Sequence, residues 1–217
     1  MVFSFFGLFL VIGLATLPGS VAADLTEEAG LVETLGAAAF FGAAALALVI
    51  ALRSRGSQRG FFLMWVFLAA LFFGEETSYL QHYIGFSTPE AYAVLNAQNE
   101  LNIHNLNPLQ GGSLIDEPLT LSTLMKSQNL FRLGFGLYFG VLPLLSPIIP
   151  RFRVFLQRIQ VPIIGKKIMV SSWLVIGSSF LVVLAGAEDS PIAELREMIY
   201  ASVILFFIIA HARKQES

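Results

Sequence analysis

The sequence has no cysteine and few charged residues, and each shortage excludes a class of protein. None of its 217 residues is Cys, which excludes disulfides, thiolate metal ligands and cysteine nucleophiles. Charged residues make up only 13% of the chain, about half of the ~25% that is usual in soluble domains. The chain has 13 basic and 15 acidic residues, so positive charge is not in excess. This balance argues against a nucleic-acid partner.

The chain instead has long, continuous apolar runs. Hydrophobic residues make up 56% of it and the mean hydropathy is +0.74. A helix needs about 20 apolar residues to cross ~30 Å of hydrocarbon, and an open strand edge cannot be left in lipid. We therefore predict an all-α fold, a polytopic membrane helix bundle that forms one membrane domain over 1–217. Its six predicted transmembrane helices are, approximately, 2–22, 32–52, 60–82, 130–149, 168–187 and 193–211.

The first apolar run has two interpretations. The run 5–17 followed by Pro18-Gly-Ser-Val-Ala-Ala23 matches the apolar region and small-residue cleavage site of a signal peptide. The residues before it include no Lys or Arg, which favours a retained helix. Either interpretation leaves the orientation of the later spans unchanged.

Basic residues are concentrated on one side of the predicted bundle. With six spans, ten of the 13 fall in three segments on the same side, namely 53–59, 151–167 and 213–214. The positive-inside rule places these segments and both termini in the cytoplasm. All acidic residues except Glu216 then lie at or near the outer face. We expect a multi-pass protein of the bacterial cytoplasmic (inner) membrane, in contact with membrane lipids.

Within this topology, three segments carry packing or surface signals. The run 36–45 is rich in Gly and Ala, and Gly136 and Gly140 form a GxxxG pair, so both spans should allow close helix contact. The 20 Phe, mostly within spans, are expected to face lipid or a partner's helices. Apolar residues at helical spacing among arginines in 151–159 suggest an interfacial helix on the anionic cytoplasmic leaflet, or an ordinary topology anchor.

Two carboxylates lie near the outer end of the third span. Glu75 and Glu76 follow Gly60 by about 15 residues, or about 22 Å of helical rise. An ionisable group at that depth is costly, and a functional role is the default hypothesis. If the helix continued, Ser78, Tyr79 and His82 would share the face of Glu75, whereas Glu76 would point about 100° away.

The connection 83–129 between the third and fourth spans is long and rich in amides. Thr88-Pro89-Glu90 is typical of a helix start, and we predict an amphipathic helix over about 89–104. Three of its polar residues would share one stripe: Asn96, Glu100 and His104. The surrounding Asn and Gln side chains can both donate and accept hydrogen bonds, which suits them to hold carboxylates and imidazoles in place.

Three interpretations of this outer cluster (Glu75, Glu76, His82, Glu100 and His104) stay open. One is a site for a divalent metal such as Zn, Mn or Fe, although the spacing matches no common metal motif. Its ligands would be Glu75, His82, Glu100 and His104. Another is metal-free acid–base chemistry. Its catalytic residues would be Glu75, Glu76, Glu100 and His104. The third is a satisfied polar network that holds the connection against the bundle.

The motifs of this region resemble those of an uncharacterised family of bacterial polytopic membrane proteins. They are Gly74-Glu-Glu-Thr-Ser-Tyr-Leu-Gln81, Thr88-Pro-Glu90 and Asn96-Ala-Gln-Asn-Glu-Leu-Asn-Ile-His-Asn105. The family pattern is Gly-Glu-Glu-x-Ser-x-x-Gln, then Thr-Pro-Glu, then Asn-x-Gln-x-Glu-x-Asn-x-His-Asn. Glu33 and Glu194-Leu-Arg-Glu197 also resemble it, and Tyr79-Leu80 stand where the family usually has Trp-Gly. The resemblance locates a site without naming a reaction.

Two functions from different classes follow as hypotheses. The first is a membrane-embedded hydrolase or transferase that acts on a lipid or lipid-linked substrate. The alternative is a non-catalytic accessory or structural subunit of a larger membrane protein complex, so whether the protein is an enzyme stays open. Ion translocation is weaker, because no acidic residue continues a path through the cytoplasmic half.

Overall fold

The structure is a computed structural model that describes residues 30–109, 118, 120–184 and 191–216. For residues 82, 178–184, 191–194 and 214–216 it describes the backbone alone. The regular elements of the described residues are all helices, with no named strand among them, which confirms the all-α class. The α-helices are α1 (Leu31–Arg53), α2 (Gly56–Glu76), α3 (Gln81–Ile84), α4 (Glu90–Ala93), α5 (Leu121–Leu124), α6 (Ser127–Phe135), α7 (Leu142–Ile148), α8 (Pro150–Arg158), α9 (Lys166–Leu184) and α10 (Pro191–Glu216).

Four stretches of the described chain are long and apolar enough to cross a membrane. They are Leu31–Arg53, Gly56–Glu76, Ser127–Ile148 and Leu195–Arg213. They correspond to four of the six predicted spans. The predicted span 2–22 lies outside the described residues. Helix α9 covers most of the predicted span 168–187, the end of which also lies outside them, so the count of six stays a prediction.

The core is built on α1, which packs against both α2 and α10. Its small residues Ala43, Ala47 and Ala51 are fully buried. This is expected for helices in a membrane, because small side chains let the backbones pack closely and packing, not the hydrophobic effect, holds such helices together. An aromatic cluster fills the space beside them. Phe62, Phe139 and Phe207 are buried there, and the last two contact Trp65 and Tyr138. The expectation that Phe faces outward is therefore wrong for these residues.

The fourth predicted span is irregular in its middle. Between α6 and α7 the backbone forms a π-helix over Gly136–Val141. Pro143 lies two residues after its end. Because a proline ring clashes with the carbonyl four residues earlier, which here belongs to Phe139 within the π-helix, we attribute the wider turn to Pro143. Of the GxxxG pair, only Gly140 meets a neighbouring helix, since a Cβ there would lie 3.1 Å from Ile176 Cδ1.

Two sequence-predicted helices around the outer cluster are shorter than expected. Helix α2 ends at Glu76 rather than continuing to 82. The helix expected over about 89–104 is reduced to α4, Glu90–Ala93. Asn96 explains the second difference, because its Oδ1 accepts hydrogen bonds from the backbone N–H groups of Gln98 and Glu100. A side chain that bonds to nearby backbone in this way competes with helix formation.

Hydrogen bonds gather the basic segments at one end of the bundle. Gln160 Oε1 accepts from Ser57 Oγ and from the Gln58 backbone N–H, at 2.9 and 3.0 Å. Gln58 Nε2 lies 3.1 Å from His211 Nε2. These contacts join the segments 53–59, 151–167 and 211–214 into one basic end. Glu75 lies at the other end of α2, about 30 Å away.

Candidate functional site

Glu75 and His104 meet at the end of α2 although 29 positions separate them in the sequence. Glu75 Oε2 lies 3.2 Å from His104 Nδ1 and also accepts the backbone N–H groups of Ile103 and His104, each at 2.8 Å. Glu75 Oε1 accepts from the hydroxyl of Tyr79 at 2.7 Å. Both carboxylate oxygens are thus held by donors from the connection that follows α2.

This contact fixes the tautomer of the imidazole. An ionised carboxylate is only an acceptor, so Nδ1 of His104 carries the proton and Nε2 of the neutral ring is the free base. Nε2 has no hydrogen-bond partner among the described residues. The Glu75 side chain is 12% exposed and that of His104 35% exposed. The carboxylate is therefore shielded, while the ring can be reached.

The surroundings of His104 also set its protonation. Burial lowers the pKa of the imidazole, because the charged form loses hydration. The hydrogen bond to Glu75 raises the pKa, and the negative charges of Glu197, Glu75 and Glu100 raise it further. The net result is a pKa of His104 above its usual 6.5.

A left-handed turn places Tyr79 on Glu75. Ser78, Tyr79 and Leu80 have φ values of 44°, 54° and 68°, which side-chain-bearing residues rarely adopt. The Thr77 hydroxyl closes the turn by accepting from the Leu80 backbone N–H at 3.3 Å. Burial and the adjacent Glu75 carboxylate raise the pKa of Tyr79, so its phenol remains a hydrogen-bond donor at neutral pH.

Glu100 occupies a different environment from Glu75. It is 6% exposed, and its Oε2 accepts from Ser78 Oγ at 2.8 Å and from the amide nitrogens of Asn102 and Asn105. Asn96 donates in turn to Asn102 Oδ1 at 3.0 Å. The prediction that amides hold a carboxylate in place is confirmed for Glu100. Because the side chain is enclosed by protein donors, its contacts are those of a group that holds the connection together.

Glu76 points away from the Glu75–His104 pair, toward the interface of α1 and α10. A Cβ added to Gly36 would lie 2.8 Å from Glu76 Oε1 and 3.5 Å from the Cα of Met198. Two adjacent positions on a helix differ by about 100°, so Glu75 and Glu76 serve different neighbours. A catalytic role for Glu76 stays a prediction.

The metal interpretation finds no complete ligand set in the part of the chain that is described. No group of three or more His, Asp or Glu residues there could hold a metal ion. The oxygens of Glu75 and Oε2 of Glu100 already accept protein hydrogen bonds. The side chain of the fourth candidate, His82, lies outside the described residues. Metal binding therefore remains a prediction.

Sequence reasoning missed Arg196, which it used only to count charges. This residue is 4% exposed, and its Nη2 lies 3.7 Å from Glu197 Oε1. Its Nε and Nη1 have no hydrogen-bond partner among the residues whose side chains the structure describes. The sequence did show a single basic residue near the start of the sixth predicted span, on the side where the acidic residues lie. It could not show that this residue is buried.

Comparisons with known proteins do not identify a family or a relative for this chain. A scan against protein-family models, a search of curated proteins and a search of solved structures each give no match. The resemblance to a family of bacterial membrane proteins accordingly stays a prediction, carried by the motifs around Glu75 and His104.

Proposed function

We propose that the protein is a membrane-embedded hydrolase or transferase in which His104, oriented by Glu75, acts as general base on a lipid or lipid-linked substrate. The observation that carries this proposal is the 3.2 Å contact between Glu75 Oε2 and His104 Nδ1, which leaves Nε2 without a partner among the described residues. A carboxylate that holds an imidazole through Nδ1, with Nε2 left to take a proton, is the base unit of many acyl-transfer enzymes.

The proposed reaction needs an O–H group to be activated next to Nε2. His104 would take the proton of water or of a substrate hydroxyl as that oxygen attacks the carbonyl carbon or phosphorus of an ester or phosphoester. It would then return the proton to the leaving alcohol oxygen as the original C–O or P–O bond breaks. The Glu75 carboxylate would stabilise the imidazolium that forms and keep the ring in the correct tautomer. Neither role requires Glu75 to leave its hydrogen bonds to the backbone of Ile103 and His104.

The position of the pair favours a lipid substrate. Glu75 is the next-to-last residue of a helix long and apolar enough to cross a membrane, and His104 belongs to the connection beyond it. In a bilayer this level is the interface, where the ester and phosphate groups of lipids lie. A substrate anchored in the membrane would reach His104 without leaving the bilayer.

One observation favours the alternative, an accessory subunit of a membrane complex. The connection exposes apolar side chains outside the membrane-length helices, with Ile84 at 68%, Val94 at 74% and Leu95 at 55%. Such a patch is typical of a surface that contacts another protein or the membrane. In that case Glu75 and His104 would serve mainly to hold the connection in shape.

Lipid turnover separates the two functions. The full chain is reconstituted in vesicles made from a total bacterial lipid extract, and lipids are compared over time by mass spectrometry at pH 8. We expect cleavage or transfer of an ester or phosphoester, slowed by about 10²–10⁴-fold in His104→Gln. Glu90→Gln is the matched control, because Glu90 is an exposed carboxylate of the same connection. An unchanged lipid profile, or equal rates in His104→Gln and the wild type, would refute the enzyme proposal.

A further inference from the structure

The basic end of the bundle presents a surface of positive charge with no acidic residue near it in sequence. Five basic residues around α8 are exposed: Arg151, Arg153, Arg158, Lys166 and Lys167. We call them the basic surface. The sequence has no Asp or Glu between Glu117 and Glu188. None of the five has an ion pair within the described part of the chain.

Helix α8 is amphipathic, and the protein covers only part of its apolar arc. At 100° per residue, Phe152, Leu156, Phe155 and Ile159 lie side by side, while the three arginines lie on the remaining face. Leu156 is buried against the bundle and Phe152 is partly buried. Phe155 is 54% exposed and Ile159 36% exposed, so the described part of the protein covers this flank of the arc only in part.

The place of α8 in the fold decides what could cover that flank. Only Ile149 separates the helix from Ile148, the end of a membrane-length stretch, and both isoleucines are exposed. The turn after α8 is tied to the start of α2 by the bonds from Ser57 and Gln58 to Gln160. The helix is thus held at the level where membrane-length helices end, next in sequence to exposed apolar residues of such a helix.

We propose that the basic surface binds the headgroups of anionic phospholipids in the adjacent leaflet, with Phe155 and Ile159 inserted among the acyl chains. Long arginine and lysine side chains can reach headgroup phosphates while an apolar flank stays in the hydrocarbon. Several basic residues without acidic neighbours favour anionic over zwitterionic headgroups, because the attraction depends on net surface charge. The surface lies at the end opposite Glu75 and His104, so this inference does not depend on the proposed reaction.

Lipid selectivity of the full chain tests the proposal. The protein is reconstituted in phosphatidylcholine vesicles, and electron paramagnetic resonance gives the motionally restricted fraction of spin-labelled phosphatidylglycerol and of spin-labelled phosphatidylcholine. We expect wild type to prefer the anionic lipid by severalfold, and this preference to fall as salt is added. The double variant Arg151→Gln, Arg153→Gln should lower the preference at least twofold.

Matched variants keep this result specific to the basic surface. Lys126→Gln, Arg132→Gln also removes two positive charges, but from residues near the opposite end of the bundle, and should leave the preference unchanged. Lys166→Gln, Lys167→Gln removes two charges from the same surface without altering α8 and should again lower it. Equal binding of both lipids by wild type, or an equal loss in all three double variants, would overturn the proposal.

Discussion

At the residue scale, the carboxylates of Glu75 and Glu100 lie in different environments because their hydrogen-bond donors differ. Glu75 accepts from backbone N–H groups, a phenol and an imidazole that is partly exposed. Glu100 accepts from a serine hydroxyl and two amides, and it is buried. A titratable partner that solvent can reach allows proton transfer, whereas neutral amide partners only stabilise the charge. The sequence showed two similar glutamates, and only their neighbours separate them.

The raised pKa of His104 predicts a pH dependence of both activity and stability. Because the folded pKa lies above 6.5, the stabilisation from protonated His104 is complete below about pH 6.5 and is lost as pH rises through the folded pKa. Nuclear magnetic resonance of the imidazole should give a pKa above 6.5 in wild type and a lower one in Glu75→Gln. Since the base must be neutral, any lipid turnover should rise through the same pKa. A His104 pKa unaffected by Glu75→Gln would contradict the pairing.

At the element scale, the end of α2 is defined by a turn that the local sequence does not favour. Left-handed φ at three successive non-glycine residues costs roughly 1–2 kcal/mol each. The turn persists because two hydrogen bonds hold it: Ser78 donates to Glu100, 22 residues away, and Tyr79 donates to Glu75, four residues away. This strained turn brings the ring of Tyr79 onto Gly74. A Cβ added to Gly74 would lie 2.8 Å from Tyr79 Cε1.

Gly74→Ala should therefore disturb the turn although alanine favours helices. We expect a net destabilisation of about 1–3 kcal/mol, typical of overpacking, together with a changed His104 resonance as Tyr79 moves off Glu75. Gly60→Ala is the matched control on the same helix, because nothing lies within 4 Å of a Cβ there. It should instead be neutral or stabilise by up to ~1 kcal/mol. Thermal unfolding in detergent measures both, and equal shifts for the two variants would argue against a packed Tyr79 ring.

At the scale of the whole molecule, the bundle has two chemically distinct ends. Gln58 and Gln160 help to join the basic segments at one end, and Glu75, Glu100 and His104 lie at the other. With the positive-inside rule, this arrangement predicts a cytoplasmic basic end and an outer site.

The absence of cysteine makes that orientation simple to test. Ala97 and Gln157 are exposed positions at the two ends, so each can carry a single introduced cysteine. In intact cells, a membrane-impermeant maleimide should label Ala97→Cys directly and Gln157→Cys only after permeabilisation. The reverse pattern would invert the predicted topology and place the Glu75–His104 pair on the cytoplasmic side.

From the sequence alone, the helical class and four membrane-length segments could be predicted, because hydropathy and length are local properties of the chain. The bonds that join 53–59, 151–167 and 211–214 agree with the predicted clustering of basic residues on one side. The motifs also drew attention to Glu75 and His104, because costly polar residues near apolar spans suggest function.

Only the tertiary structure decided how those residues meet. Periodicity placed His104 on a long helix with Glu100, yet the chain turns after Ala93, and His104 contacts Glu75 on another element. The pattern likewise did not predict the irregular end of α2 or the burial of Arg196. The physical reason is that these features depend on hydrogen bonds and packing between segments far apart in sequence, whereas helix periodicity reflects only residues a few positions apart.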